Sequence, residues 1–140
     1  AAASNGAMTG FLTCSVVPSC ADHMIVLETG PEPLTGSTRL KAGTATKLTL
    51  NIISTTLFIQ LGKVYGNMMV DLNASNDKLR DRAIRIISMI CKTDRDTSSA
   101  ILNQGNGDVK ATIVMHTCGV DLETATQKLQ DAGGNLRSIL

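Results

Sequence analysis

The chain has 140 residues, of which 43% are hydrophobic, 18% charged and 2% aromatic, with no Trp. That length and balance fit one compact domain or part of a larger one, with a core of Leu, Ile, Val, Met and Ala. A formal net charge of +1 carries no polyanion-binding signature, so no nucleic-acid partner is expected.

The opening Ala1 to Ala7 reads as the last turns of a helix stopped at Gly6. It has no initiator Met and no signal peptide, which reads as the middle of a longer sequence. Thr9–Cys14 and Met24–Glu28 read as two buried strands, separated by a loop over Ser15–Asp22 that contains Pro18. Short apolar runs bounded by turn signals fit inner strands of a parallel sheet covered on both faces. Two strands alone leave a pairing edge open, so sheet partners outside the sequence are expected.

Next comes Gly30-Pro31-Glu32-Pro33-Leu34-Thr35-Gly36-Ser37-Thr38-Arg39-Leu40-Lys41, followed by a long apolar run to Leu61. Strand, small hydroxyl-rich loop and helix is the order that builds an anion site, because a helix start presents unpaired N–H groups and a partial positive charge. Arg39 and Lys41 would then sit in or near the first turn, where the dipole disfavours cations by roughly a few tenths of a kcal/mol. A bound anion reverses that sign; a Ser/Thr N-cap with two solvated bases is the other reading. Glu32 lies just past the carboxyl end of a strand, where open α/β sheets place ligands. It could accept sugar hydroxyls or move a proton, or be an exposed acid in a Pro-Glu-Pro turn.

Leu48–Leu61 is β-branched enough to suggest a strand, but its length and capped entry favour helix. We expect a buried helix from about Gly36 to Leu61, ended by Gly62, then an extended connector over Lys63–Leu72. Its Asn51, Ser54, Thr55, Thr56 and Gln60 make this run too polar to cross a membrane. Ser75–Cys91 reads as an amphipathic helix, with Leu79, Ala83, Ile86 and Ile90 on one face and Ile87 beside it. Lys78 and Arg82, four apart, could converge on an anion or form part of a solvated face. From Thr93 onward, short helices capped by Asp96 or Thr97, Asn106 and Asp121 would enclose Ile101, Leu102, Val109, Ile113, Val114, Leu122, Ala125, Leu129, Leu136 and Leu140.

Other constellations carry less chemistry. Cys14, Cys20, Cys91 and Cys118 are scattered without a Cys-x-x-Cys pair, which fits reduced thiols in a cytoplasm and no zinc site. His116 reads as a hydrogen-bonded core histidine, and His23 beside Asp22 as a strand-edge pair or a titrating group. Cys14 reads as a small buried hydrophobe. P-loop, dinucleotide and Gly-x-Ser-x-Gly motifs are absent from the sequence.

The stretch from Gly30 to Lys47 closely resembles the signature shared by the N-acetylmuramic acid 6-phosphate etherases and the glucokinase regulatory proteins. Similarity continues through Lys63–Asp71, Asn76–Ala83 and Gly107–Leu136. Pro33, directly after Glu32, is a local departure, and Ser15–Cys20 carries no family motif. The resemblance implies an α/β fold: the C-terminal part of a doubly wound sugar isomerase (SIS) sandwich over residues 1–62, a connector and helix over 63–92, and a small helical, UBA-like bundle over 93–140. It implies a cytoplasmic homodimer acting on a phosphorylated amino sugar, with no metal or other cofactor and no membrane. The reaction it implies is cleavage of the D-lactyl ether of N-acetylmuramic acid 6-phosphate in cell-wall sugar recycling. A non-catalytic phosphosugar-binding regulator is the alternative. The main acid/base residues are expected outside the chain, whereas Glu32, Ser37, Thr38, Arg39 and Lys41, with Asn67, Lys78 and Arg82, are carried over as substrate contacts.

Overall fold

Two short apolar runs pair in parallel, Gly10 opposite His23 through Thr13 opposite Val26, as β1 (Gly10–Thr13) and β2 (His23–Val26). The computed structural model describes residues 3–140 and is mixed α/β. It divides into two units, one ending at Thr55 and the other spanning Thr56–Leu140. Of the expected first helix, Ala1 and Ala2 lie outside the described residues; Ala3–Asn5 is a single 3-10 turn. No residue of either strand is buried, contrary to the expectation of inner strands. Burial on both faces takes two covering layers, and Phe11 and Val26 stay exposed without them.

The first unit continues into α1 (Lys41–Gln60), and the division between the units falls within this helix. Length outweighs β propensity here, as expected, but the helix starts at Lys41 instead of Gly36. Gly36 has φ +83°, which breaks the helical path before Thr38–Leu40 turn into it. Thr49 Oγ1 donates to Ala45 O at 2.9 Å and Ser54 Oγ to Asn51 O at 3.3 Å, so these hydroxyls bond back to the helix itself. None of the residues of α1 is buried, which corrects the expectation of a buried helix. Leu48, Leu50, Ile52, Ile53, Leu57, Phe58, Ile59 and Leu61 all remain exposed.

The second unit takes over at the end of α1. Gly62 N–H donates to Ile59 O at 3.1 Å and Lys63 N–H to Phe58 O at 3.0 Å, which is the Schellman pattern. The connector then folds into a hairpin, β3 (Val64–Tyr65) and β4 (Met68–Met69), around Gly66-Asn67. Gly66 takes φ +60°, which a two-residue hairpin turn of this kind demands of its first central residue.

Four helices follow: α2 (Asp77–Cys91), α3 (Arg95–Gln104), α4 (Val109–Cys118) and α5 (Leu122–Asp131). Their N-caps are Asn76, Asp94, Asp108 and Asp121, each accepting from the amide three residues on. Asp121 matches expectation. Asp94 and Asp108 replace Asp96 or Thr97 and Asn106. Asn106 instead adopts φ +52° in the turn before the cap. Val70, Ala83, Ile84, Ile86 and Ile87 share one core with Leu102, Val109, Ala111, Ile113, Val114, Ala125, Leu129 and Leu136. Of the expected core, Ile101 and Leu122 are partly buried and Leu140 is exposed.

A polar clamp ties the hairpin exit to α4. Asp71 accepts from Lys63 Nζ at 2.7 Å and Lys110 Nζ at 2.9 Å, and Lys110 also donates to Gly134 O at 3.2 Å. Those hydrogen bonds, Lys63 first and then Lys110, hold the Asp71 carboxyl below its usual range. A carboxylate whose folded pKa is lowered stabilises above its unfolded value and loses that contribution as pH falls. Asp71→Asn should therefore cost most stability above pH 3.8, its ordinary value, and the gap to wild type should close on further acidification. Denaturant midpoints at several pH values test this.

Gly62 makes the close approach in this unit. At φ +66°, a Cβ there would lie 2.9 Å from Asn135 Cα and from Gly134 O. Gly66 has a similar φ, yet nothing lies within 4 Å of its Cβ position. Gly66→Ala should cost about 1 kcal/mol from the left-handed backbone. Gly62→Ala should exceed it by about 1 kcal/mol or more, because backbone has to move as well. Equal shifts in denaturant midpoint would show that the approach is loose.

Candidate functional site

The loop between β2 and α1 is closed by side chains at its two ends. Glu32 Oε2 accepts from Lys41 N–H at 2.9 Å and Oε1 from Ala42 N–H at 2.9 Å. Lys41 Nζ reaches back to Pro31 O at 3.0 Å. The next two amides are also occupied: Gly43 N–H donates to Thr38 O at 2.8 Å and Thr44 N–H to Leu40 O at 3.3 Å. The first four donors of α1 are therefore all satisfied within the chain, which corrects the picture of a helix start open to an outside anion. Glu32 is that anion. The amide of Ala42, then that of Lys41, hold its carboxyl below the usual glutamate value, and the Lys41 charge adds a smaller pull. The carboxylate also accounts for two cations at a helix start, since it supplies the negative charge that the dipole favours there.

Between the clasped ends, Ser37, Thr38 and Arg39 form no side-chain hydrogen bond or ion pair among the described residues; only the Ser37 and Thr38 backbone takes part in the turn. Thr38 lines an open groove of about 500 Å³ along α1 with Ala42, Gly43, Thr46, Lys47, Leu50 and Asn51. Thr46, Lys47 and Asn51 were not singled out from sequence. The available signal is i, i+4 spacing on one helix: Ala42 to Thr46, Gly43 to Lys47 and Lys47 to Asn51.

The remaining candidates lie in the second unit. Asn67 and Arg82 line a groove of about 320 Å³ with Met68, Met69, Arg85, Ile86 and Met89. Lys78 is exposed and is not among its lining residues, so the expected convergence of Lys78 and Arg82 does not bring both to this groove. Arg85 takes that place, three residues from Arg82 on the same helical face, with one nitrogen 2.8 Å from Asp81.

One of the two histidines departs from expectation. His116 is exposed in the last turn of α4 and not in the core, because burial in that helix is confined to its first turns, Val109 to Val114. His23 opens β2, at the strand edge, beside Asp22, whose Oδ2 accepts from Thr9 N–H at 2.7 Å and Thr9 Oγ1 at 2.8 Å. His23 Nε2 lies 3.0 Å from Met8 Sδ. Cys14 is half-buried, its Sγ 3.6 Å from Ala42 O and from Thr46 Oγ1. Among the described residues, no group of three or more His, Cys, Asp or Glu is placed to hold a metal ion, and no helix is long and apolar enough to cross a membrane.

Comparison with known proteins places this loop in context. The chain is 57% identical over 119 residues to an N-acetylmuramic acid 6-phosphate etherase of Prochlorococcus marinus (strain NATL1A), covering 85% of this chain and 38% of that protein. It is 47% identical over 143 residues to one of Synechocystis sp., covering 100% of the chain and 47% of the relative. A third, of Deinococcus radiodurans, is 42% identical over 146 residues, with 99% and 48% covered. The chain is similar to N-acetylmuramic acid 6-phosphate etherases over nearly its whole length. It spans less than half the length of these etherases. No family model matches it.

In this etherase-like chain the two candidate arginines are free of internal work. Neither Arg39 nor Arg82 has an ion-pair or hydrogen-bond partner among the described residues, and both are exposed. Arg39→Ala and Arg82→Ala should therefore leave folding stability within about 0.5 kcal/mol of wild type. Thermal unfolding of the two variants checks this, and a larger loss in either would mean that the arginine serves the fold.

Proposed function

We propose that the chain is the C-terminal part of an N-acetylmuramic acid 6-phosphate etherase. The intact protein would cleave the D-lactyl ether to give N-acetylglucosamine 6-phosphate and D-lactate, by elimination and then addition of water. That makes it a carbon–oxygen lyase of peptidoglycan recycling, a cytoplasmic homodimer that binds a phosphorylated amino sugar. The observation carrying this reading is the loop Gly30–Lys47, in a chain 42–57% identical to proteins bearing that activity in their names. Supporting it physically, Ser37 and Thr38 bring hydroxyl donors and Arg39 a cation, with no internal partner competing for them.

Within this reading, residues 1–62 are the last part of a doubly wound SIS sandwich, 63–92 a connector and helix, and 93–140 a small helical bundle. The exposed apolar helix α1 and the open edges of the β1–β2 pair are the surfaces on which further layers of such a sandwich would pack. The acid that assists departure of the lactyl oxygen and the base that removes the proton beside the acetamido carbon belong to the remainder of the protein. The residues in hand bind and orient the substrate. Asn67, Lys78 and Arg82 are proposed as contacts from the helical side.

The intact protein should release D-lactate from N-acetylmuramic acid 6-phosphate, and the 140-residue chain alone should release none. Arg39→Ala in the intact protein should lower kcat/KM by about tenfold or more, the size of one lost charge-assisted hydrogen bond. Unchanged kinetics would remove the loop from the site. Sugar-phosphate binding without turnover by the intact protein would favour the regulator reading instead.

A further inference from the structure

The candidate contacts of the loop fall into two groups by what their side chains already do. Glu32 spends both carboxylate oxygens on the amides of Lys41 and Ala42, each at 2.9 Å. Lys41, whose amide Glu32 holds, spends its ammonium on Pro31 O at 3.0 Å. These three bonds join the two ends of one loop, Pro31–Glu32 and Lys41–Ala42. Ser37, Thr38 and Arg39 lie between those ends, and their side chains make no hydrogen bond or ion pair among the described residues.

We propose that Glu32 and Lys41 are positioning residues: a clasp that fixes the loop so that Ser37, Thr38 and Arg39 are presented to the sugar phosphate, while neither clasp residue touches it. The proposal rests on the reading of this loop as a phosphosugar site. Three features of the geometry carry it. The two Glu32 oxygens accept from consecutive amides of a 20-residue helix, so moving the carboxylate to a ligand would orphan two donors at once. The turn inside the loop is held separately by Ser37 N–H to Leu34 O at 2.9 Å and Leu40 N–H to Ser37 O at 3.2 Å, so clasping its ends sets the whole segment. A loop ordered before binding spares the ligand the entropy cost of ordering it, which raises affinity without a new contact.

The clasp and a catalytic or contacting glutamate differ in their kinetics. In the intact protein, Glu32→Gln keeps one oxygen acceptor and removes the charge. As a positioning variant it should raise KM by about three- to tenfold, hold kcat within about threefold and leave the pH–rate profile unchanged. A fall in kcat of about a hundredfold or more, with loss of one limb of that profile, would make Glu32 an acid/base and overturn the clasp. Lys41→Gln keeps a donor for Pro31 O and removes the charge. It should change KM by less than about threefold, and a tenfold or greater rise would place the ammonium on the phosphate.

The physical arm needs no substrate. Hydrogen exchange over residues 38–44 of the intact protein should speed up at Lys41 and Ala42 by at least about tenfold in Glu32→Ala, and less in Glu32→Gln. Amides that stay protected in both variants would overturn the clasp itself. Accelerated exchange in a protein that binds no N-acetylglucosamine 6-phosphate would keep the clasp as a structural device and overturn the phosphosugar reading and the presentation role with it.

Discussion

The amides at a helix start have no partners within the helix, and all five α-helices described here meet that constraint with a side-chain oxygen. Asn76, Asp94, Asp108 and Asp121 do so locally, each holding the amide three residues further on. Glu32 does so from nine and ten residues away. That difference in reach separates the two kinds of helix entry. A local cap fixes the direction in which one residue enters a helix. A distant cap closes a loop, and whatever lies between the cap and the helix is ordered as a by-product. The etherase-like signature is such a loop, so the residues that hold it and the residues it displays are different members of one motif.

The helix that this cap starts is unlike the others. In α2, α3 and α5 the buried stripe covers one side, α4 is buried nearly all round over its first turns, and all four meet a shared core, with Ala83, Ile87, Leu102, Val109 and Ile113 essentially inaccessible. In α1 the apolar residues point in all directions and none is buried. A helix apolar on every side is stable in water only when other layers cover it. Two of its hydroxyls, those of Thr49 and Ser54, are already bonded back to its own carbonyls, which leaves that much less polar surface facing outward. Exposure of this helix and of a two-stranded parallel pair, in a chain less than half the length of its relatives, is the physical footing of the SIS reading.

Some errors of sequence reasoning trace to competition between equally qualified residues. Asp94, Asp96 and Thr97 are all good caps within four positions, and only the packing of α3 on α2 and α4 decides which one stands at the boundary. Asp121 matches expectation although Thr124 stands three residues on, as Thr97 does from Asp94. The hairpin at Gly66-Asn67 carried a recognised turn signal, but with strands of two residues each there was no alternation to reinforce it. His116 was misplaced because its neighbours are apolar. The facing of one position on a ten-residue helix depends on where that helix docks.

By itself, the sequence determined that the two strands and the long helix are strands and a helix, most of the apolar set of the helical core and the family that the chain resembles. These are local periodicities and motifs, carried by residues that are near one another along the chain. Only the tertiary structure decided how the signature loop is divided. From sequence, the resemblance carries Glu32, Ser37, Thr38, Arg39 and Lys41 over alike as substrate contacts. Folding brings Glu32 onto the amides of Lys41 and Ala42 and Lys41 onto Pro31, and it leaves the three residues between them without internal partners. No spacing rule encodes that division, because it depends on two ends of a loop meeting in space.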